Sequence, residues 1–368
     1  MDFEINRTAF ARALKLAAAI ADRRSSTMPI LANVVIRAHL AGSDDGNTPC
    51  VEIVATDLTT SITYTLPATV KAHGVMAVNA KTLHDVIASA PGETARIAED
   101  RAAGSASTRL SVKAGKASFR VATVDVRDFP RIVSTAKARF APVDPGKLCG
   151  MFDRTLFSVC DDETRFHLNG VLFGGSYMVS TDGHRLSIVD DNAMKLAKPV
   201  IIPRKGATEA RKLLSGAERA EAAVLDGHIA FKTDDATLTI KLVDATFPPH
   251  EQVIPKTGTT VATVDRAALI DAVDRSRLIA TTARGTAFAF TSDSIKITTS
   301  SPDGDEIVET VDAEATGPDL VIGFNPAYVA ELLAAMSGDQ IVIELNGELD
   351  PGLFRDGDYR GVVMPMRV

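Results

Sequence analysis

The chain has 368 residues, of which 45% are hydrophobic and 24% charged, and its formal net charge is −7. These values are typical of a globular protein of two or three domains. They argue against a membrane-spanning helix, since no run of about 18 uncharged apolar residues occurs, and the N-terminus shows no secretory signal pattern.

The three cysteines, Cys50, Cys149 and Cys160, are odd in number and share no metal-ligand spacing. We therefore expect reduced thiols in a cytoplasmic protein that holds no metal and no cofactor. The negative net charge argues on its face against nucleic acid, because phosphate binding normally requires a basic balance.

A strand followed by a helix opens the chain and recurs twice. The predicted pairs are strand 3–5 with helix 7–21, strand 141–143 with helix 145–159, and strand 261–264 with helix 266–279. A second strand and helix follow each pair, with these helices predicted at 81–89, 205–214 and 326–336. Their starts lie roughly 120 to 125 residues apart, which indicates an internal repeat.

Strands 118–123 and 236–242 alternate between apolar and polar residues, as expected of antiparallel sheets with one buried face. We therefore predict an α+β fold of three repeated modules, each with two helices against antiparallel sheets. The predicted domains are 1–133, 137–257 and 259–368.

Charge is unevenly distributed between the predicted helices and the rest of the chain. Six helix windows (6–24, 79–90, 147–160, 203–215, 265–284 and 325–337) hold 16 Lys and Arg against 8 Asp and Glu, so the remainder carries −15. A basic helical surface on an acidic protein indicates a localised track for phosphates. No base-reading motif accompanies it, so binding should be weak, salt-sensitive and independent of sequence.

The C-terminal run at 362–368, Val-Val-Met-Pro-Met-Arg-Val, resembles the ending of one family, the bacterial DNA polymerase III beta subunit or sliding clamp. The segments at 28–31, 165–170, 181–186, 200–206, 241–244, 247–248 and 322–325, with Tyr328, are also similar to it. The resemblance covers the whole chain.

The resemblance implies a non-catalytic processivity factor of DNA replication. Such a clamp is a head-to-tail homodimer, in which three DNA-clamp modules per chain close into a ring with helices lining the hole. The implied partners are double-stranded DNA, the DNA polymerase III alpha subunit, the clamp loader, and other polymerases and repair proteins that carry clamp-binding peptides. No membrane is involved.

The resemblance also implies a peptide pocket between the second and third domains. Its apolar part would comprise Thr181, Gly183, Leu186, Pro248, Val253, Val362 and Met364, and its neighbouring part Leu168, His184, Asn325, Tyr328, Met366 and Arg367. Arg185, Val363 and Pro365 lie within the same motifs. The sequence departs from the family at Gln252, where Arg is familiar, and around Leu349 and Pro351.

DNA contacts and the dimer contact are transferred in the same way. The DNA-binding set is Arg23, Arg24, Lys81, Phe166, His167, Arg204, Lys205, Arg211 and Lys212. Phe166 and His167 stand where relatives often have paired tyrosines, so a hydroxyl contact is lost. The dimer contact would join Phe119 and Val121 of one subunit to Leu278 and Ile279 of the other.

Two other functions are compatible with parts of the sequence. An enzyme could use Asp182 and His184, but acid–base catalysis also needs a nucleophile or a metal, and no motif supplies one. His167 and His184 lie 17 residues apart and carry no metal-binding signature. A clamp relative that binds partners without serving the main polymerase is the second alternative.

Overall fold

The computed structural model describes residues 1–22, 27–40, 48–101, 108–280 and 285–368. Within these ranges one order of elements occurs three times. A strand and a helix are followed by four strands (five in the first module), a second helix and three more strands. Every strand pairing is antiparallel. The predicted triplication and fold class are confirmed.

The bounds of the elements are as follows. The first module contains β1 (Asp2–Asn6), α1 (Arg7–Ile20), β2 (Asn33–His39), β3 (Cys50–Thr56), β4 (Thr60–Pro67), β5 (Thr69–Ala72), β6 (Gly74–Asn79), α2 (Ala80–Ser89), β7 (Thr94–Arg101), β8 (Thr108–Ala114) and β9 (Ala117–Val124). The second contains β10 (Ala141–Val143), α3 (Pro145–Asp153), β11 (Gly170–Phe173), β12 (Met178–Thr181), β13 (Arg185–Val189), β14 (Val200–Pro203), α4 (Arg204–Leu214), β15 (Ala220–Leu225), β16 (His228–Lys232) and β17 (Ala236–Lys241). The third contains β18 (Thr260–Asp265), α5 (Arg266–Ser276), β19 (Thr286–Phe290), β20 (Ser294–Ser300), β21 (Glu306–Thr316), β22 (Leu320–Phe324), α6 (Pro326–Ala334), β23 (Gln340–Leu345), β24 (Gly352–Asp356) and β25 (Tyr359–Val363).

Four of the helices begin at a side chain that caps them. The side-chain oxygens of Asn6, Asn79, Asp265 and Asn325 accept backbone N–H groups in the first turns of α1, α2, α5 and α6. Each cap lies at or just after the end of a strand, and it satisfies a donor that the helix cannot pair internally. The points at which these four strands give way to helices are therefore determined by residues close by in the sequence.

Two helices end earlier than the sequence predicts. α3 ends at Asp153 rather than 159, and a separate 3₁₀ helix covers Leu156–Ser158. The hydroxyl of Thr155 donates to Met151 O at 2.7 Å. In α5 the hydroxyl of Ser276 donates to Val273 O at 2.7 Å, and the helix ends there. Such side chains compete with the backbone for helical carbonyls, which favours termination.

The described chain divides into two compact units. Unit 1 comprises Met1–Pro145 and Glu209–Leu242, and unit 2 comprises Gly146–Thr208 and Val243–Val368. The sheet of unit 1 has the strand order β10-β15-β16-β17-β4-β3-β2-β6-β9-β8-β7-β1-β5. The sheet of unit 2 has the order β14-β11-β12-β13-β25-β24-β23-β18-β21-β20-β19-β22.

Successive modules are joined by the same kind of strand pairing. In unit 1 the last strand of module two, β17, pairs with the fourth strand of module one, β4. In unit 2 the last strand of module three, β25, pairs with the fourth strand of module two, β13. The chain therefore uses the same junction twice.

Candidate functional site

The β13–β25 junction brings together the two segments that carry most of the predicted pocket. Leu186 lies opposite Val362 in the strand register, and Met364 N donates to His184 O at 2.8 Å. Met366 N donates to Gly323 O at 2.8 Å, so the end of the chain also lies along β22. We call the surface at residues 181–186, 248–253, 325–328 and 362–367, where the sequence predicts the peptide pocket, the unit 2 groove.

A tight turn before β13 forms one wall of this groove. The hydroxyl of Thr181 accepts from Gly183 N at 3.0 Å and donates to Arg185 O at 2.6 Å. Asp182 Oδ1 accepts from the backbone N–H groups of His184 and Arg185. Gly183 has a φ of 90°, and an added Cβ would meet the guanidinium of Arg165 at 2.7 Å. This position therefore requires glycine.

Arg185 was predicted as part of the pocket, and the structure buries it beneath the turn. Its guanidinium donates to Asp182 Oδ2 at 3.0 Å, to Phe157 O at 2.7 Å and to the carboxylate of Glu331. The same group lies over the ring of Tyr328, 4.5 Å from the centroid. Arg185 therefore supports the wall of the groove from behind.

Tyr328 and His184 face each other at the polar part of the groove. Their rings are stacked at an angle of 20°, with centroids 6.3 Å apart. Partial burial, together with the nearby charge of Asp182, raises the pKa of the Tyr328 hydroxyl. Asn325 uses its Oδ1 to cap α6 through Ala327 N at 2.9 Å. The Nδ2 group of Asn325 is the part of that side chain suited to a ligand carbonyl.

The apolar residues of the predicted pocket divide into a buried floor and an exposed rim. Leu168, Leu186 and Val362 are buried in a cluster with Phe247, and Val363 is fully buried in its strand. Val253 and Met364 are 48% and 37% exposed, while the following residues are half-buried: Pro248, Pro365 and Met366. The rim is adaptable apolar surface of the kind that peptides bind.

Sequence reasoning did not find three features of this wall. Glu331 and Phe157 both hold Arg185, and Arg165 lies against Gly183. Tyr328 and Glu331 are three residues apart on α6 and therefore share one helix face. This spacing was the sequence signal that could have predicted Glu331 beside Tyr328. Phe157 and Arg165 had none, because only the tertiary fold brings them to the turn.

The helix charge count overstates the positive surface. Several of the counted residues are engaged in ion pairs: Lys81 with Asp85, Lys147 with Asp191, Arg154 with Asp358, Lys212 with Glu209, Arg275 with Glu309, and Arg277 with Asp274. Arg204 also pairs with Asp161. The exposed basic side chains of α1 and α4 are those of Arg12, Lys15, Lys205 and Lys212.

The remaining residues predicted to contact DNA differ in exposure and in their neighbours. Phe166 is 58% exposed and forms an edge-to-face contact with His167, with ring centroids 5.7 Å apart. Arg211 lies half-buried on α4. Arg23 and Arg24 lie outside the described residues.

The predicted dimer residues differ in exposure. Leu278 is 82% exposed, just beyond α5, and Ile279 is half-buried. On β9, Phe119 is half-buried and Val121 is only 6% exposed. Of the four, Leu278 therefore presents the most apolar surface to solvent, and Val121 is buried within its own sheet.

Within the described ranges, no group of three or more His, Cys, Asp or Glu side chains is arranged to hold a metal ion. No helix in the described part of the chain is long and apolar enough to cross a membrane.

Comparison with known proteins connects this arrangement to one family. Models of the N-terminal, central and C-terminal domains of the DNA polymerase III beta subunit match residues 1–133, 143–249 and 251–367. The chain is 31% identical to the beta sliding clamp of Pseudomonas putida and 30% identical to that of Caulobacter vibrioides, with 100% of each protein covered.

Solved structures give the same result. The DNA polymerase III subunit beta from Pseudomonas aeruginosa has a TM-score of 0.89 and 29% identity, with both chains covered over 100% of their length. The beta sliding clamp of C. crescentus has a TM-score of 0.90 and 28% identity, with 100% of this chain and 99% of that chain covered.

Proposed function

The chain belongs to the family of DNA polymerase III beta subunits, the beta sliding clamps, and from this we propose that two copies close head to tail into a ring around duplex DNA. The function of the chain is that of a sliding clamp in DNA replication. The ring, its DNA contacts and its partner groove are the parts that we infer from the residues.

Two unused strand edges support the ring. The fourth strand of module three, β21, pairs with β20 over residues 306–312 and with β18 over residues 313–316. The last strand of module one, β9, pairs with β8 over residues 117–122 and with β6 only at its end. Among the described strands, none covers the second edge of 306–312 or of 117–122. Within the described chain, the last strand of a module pairs with the fourth strand of the preceding module at two places. β21 and β9 are the fourth strand and the last strand that lack such a partner.

This observation carries the proposal, because the missing junction joins β21 of one copy to β9 of another. Such a contact uses different surfaces on the two copies. It forms a closed ring only if the rotation that relates one copy to the next brings the last copy back to the first. Arg275 Nε donates to Glu309 Oε1 at 2.6 Å, which holds the end of α5 against β21. Leu278 follows α5 directly, so its exposed side chain lies close to the proposed junction.

DNA binding would follow from α1 and α4. The exposed ammonium and guanidinium groups of Arg12, Lys15 and Lys205 suit phosphate oxygens. A ring is retained by its topology, so these contacts need only be weak and independent of base sequence. Weak contacts allow the ring to slide.

The unit 2 groove would bind short linear peptides. Val253, Met364 and Met366 offer an apolar rim, and Asn325, His184 and Arg367 offer polar groups to a peptide backbone. The partners proposed for it are the DNA polymerase III alpha subunit, the clamp loader, and other polymerases and repair proteins with clamp-binding peptides. The role is non-catalytic, and the setting is the cytoplasm.

The decisive experiment combines solution mass with retention on DNA. We expect twice the chain mass of 39.0 kDa by sedimentation or light scattering. Rings assembled on nicked circular DNA should remain bound, whereas those on linear DNA of the same length should slide off. A monomer, or equal loss from both DNAs, would contradict the ring.

The groove has its own test. Deletion of residues 364–368 removes the exposed side chain of Met364 and the hydrogen bonds to His184 and Gly323, so binding of a clamp-binding peptide should be lost. The mass of the dimer should stay at twice 39.0 kDa, since these residues belong to neither β9 nor β21. Loss of the dimer on deletion would contradict the assignment of the groove.

A further inference from the structure

Helix α4 carries one carboxylate, that of Glu209, among the four basic residues Arg204, Lys205, Arg211 and Lys212. We propose that Glu209 is a positioning residue for DNA binding, which holds the ammonium group of Lys212 and withholds it from phosphate. The contacts of the ring with DNA are thereby kept weak. This inference rests on the proposed function, because it concerns the helix face that would meet DNA.

Glu209 lies on the buried face of α4 rather than on its solvent side. Only 7% of the residue is exposed. Gly206, three residues before it, and Leu213, four residues after it, are also buried. These spacings place the three residues on one helix face. A position suited to an apolar residue thus holds a charge, and burying a charge is costly unless it is paired.

One oxygen of this carboxylate has a partner and the other has none. Glu209 Oε1 accepts from Lys212 Nζ at 2.8 Å. Oε2 is shut away from solvent and makes no hydrogen bond to any residue that the structure describes. Lys212 is the one described cation that pairs with this carboxylate. Moving Lys212 to a phosphate would therefore leave a buried charge without compensation, which is strongly unfavourable.

The pair is built into the helix itself. Glu209 precedes Lys212 by three residues, so the two side chains are neighbours on the helix surface. Lys212 also lies in the last turn of α4, where the helix dipole favours a cation. Its side chain is 43% exposed, so without the carboxylate its ammonium would be available to a phosphate.

Two other basic residues of the predicted DNA set have exposed carboxylate partners. The side chains of Lys81 and Asp85 on α2 are both more than half exposed. Arg204 pairs with Asp161, whose carboxylate is also exposed. Exposed pairs contribute little free energy, because water solvates both charges. Phosphates can therefore compete for these two basic groups, whereas the buried carboxylate of α4 retains its own.

The withheld cation bears on how the ring moves. Each phosphate that a basic side chain neutralises steepens the dependence of log affinity on log salt concentration by about 0.9. A ring held by its topology gains no retention from a further contact, and that contact must break at every sliding step. The buried carboxylate of Glu209 therefore favours sliding over tight binding.

The first test compares Glu209→Gln with the unsubstituted full-length protein. Glutamine keeps the size of the side chain and removes the charge, so Lys212 is released. Affinity for a short fluorescent duplex with open ends, which a ring can thread, is measured from about 50 to 200 mM salt. We expect binding to tighten about threefold or more at the low-salt end, and the slope to steepen by about 0.9. Unchanged or weaker binding would overturn the proposal.

A double variant separates action through Lys212 from the effect of net charge. Glu209→Gln combined with Lys212→Gln removes both charges of the pair, so its DNA affinity and salt slope should equal those of the unsubstituted protein. A gain that persists in the double variant would refute the positioning role. Glu221→Gln is the matched control, since it neutralises a paired glutamate on strand β15 and should change neither quantity. An equal gain in this control would also refute the role.

A measurement on the unsubstituted protein does not depend on the folding of variants. With ¹⁵N-labelled lysine, the Nζ signals of Lys205 and Lys212 are followed by NMR while duplex is added. The signal of Lys205 should shift, and that of Lys212 should stay in place. A shift of Lys212 as large as that of Lys205 would contradict the inference.

Failure of this inference can be told apart from failure of the proposed function. Charge reversal at Arg12, Lys15 and Lys205 tests whether α1 and α4 meet DNA at all. If that variant weakens DNA binding and Glu209→Gln has no effect, the DNA-facing helices stand and this inference fails. If neither variant changes DNA binding, both fail.

Discussion

The guanidinium of Arg185 lies 4.5 Å from the centroid of the Tyr328 ring and also bonds to the carboxylates of Asp182 and Glu331. A single buried side chain thus holds the turn of the groove against α6. Because Tyr328 stacks on His184, the position of both rings depends on Arg185.

Arg185→Leu should lower the free energy of unfolding by about 3 kcal/mol, since it leaves two carboxylates without their shared cation. Peptide affinity of the unit 2 groove should fall about tenfold as the turn loosens. Arg185→Lys should recover only part of both, because an ammonium cannot repeat the fork of contacts. Urea denaturation and peptide titration measure the two effects. Arg127→Leu, which removes an exposed ion pair with Asp125, is the matched control and should change neither.

The triple variant Arg12→Glu, Lys15→Glu, Lys205→Glu should weaken DNA binding by about two orders of magnitude at low salt. The slope of affinity against salt concentration should also become shallower. Charge reversal at two exposed strand residues, Lys71→Glu and Lys296→Glu, provides the control. Equal losses in both variants would show that α1 and α4 do not face the DNA.

Leu278→Asp should shift the solution mass from twice 39.0 kDa towards 39.0 kDa, because it places a charge at an 82% exposed apolar anchor. Sedimentation at micromolar concentration measures the change. Val224→Asp alters an exposed apolar residue on β15 and should leave the dimer intact. A dimer that survives Leu278→Asp unchanged would place the interface elsewhere.

His250 predicts a dependence of stability on pH. Burial beside Tyr177 and Phe247 lowers the pKa of its imidazole below the usual value. The unfolded chain therefore binds a proton more readily, and this residue lowers stability as the pH falls below about 6.5. Between about pH 7.5 and pH 5.5, the urea midpoint should change less with pH in His250→Gln than in the unsubstituted protein. The same substitution at the exposed His73 should not have this effect. A profile unchanged by His250→Gln would contradict this assignment.

Much of the fold was predictable because its signals are local. The order of strands and helices and the alternation of strands recur at one period, so the three modules are visible in the sequence. The helix ends at Asp153 and Ser276 were missed because hydroxyls of Thr155 and Ser276 take up carbonyls there. Apolar periodicity does not report such bonds.

The groove was predictable to a smaller extent. Its segments were found by motif, and the structure brings 181–186 and 362–367 together. Which of their side chains reach the surface depends on tertiary packing, as the burial of Val363 and Arg185 illustrates.

The free edge of β21 carries three carboxylates within seven residues, those of Glu306, Glu309 and Asp312. Like charges directly opposite each other destabilise a strand pair, so two such edges repel when brought together. Pairing of this strand with a second copy of itself is therefore disfavoured, whereas β9 carries Arg120, which pairs with Asp100 of its own sheet. In the proposed ring, this charge disfavours the pairing of β21, the longest of the described strands, with β21 of a second copy.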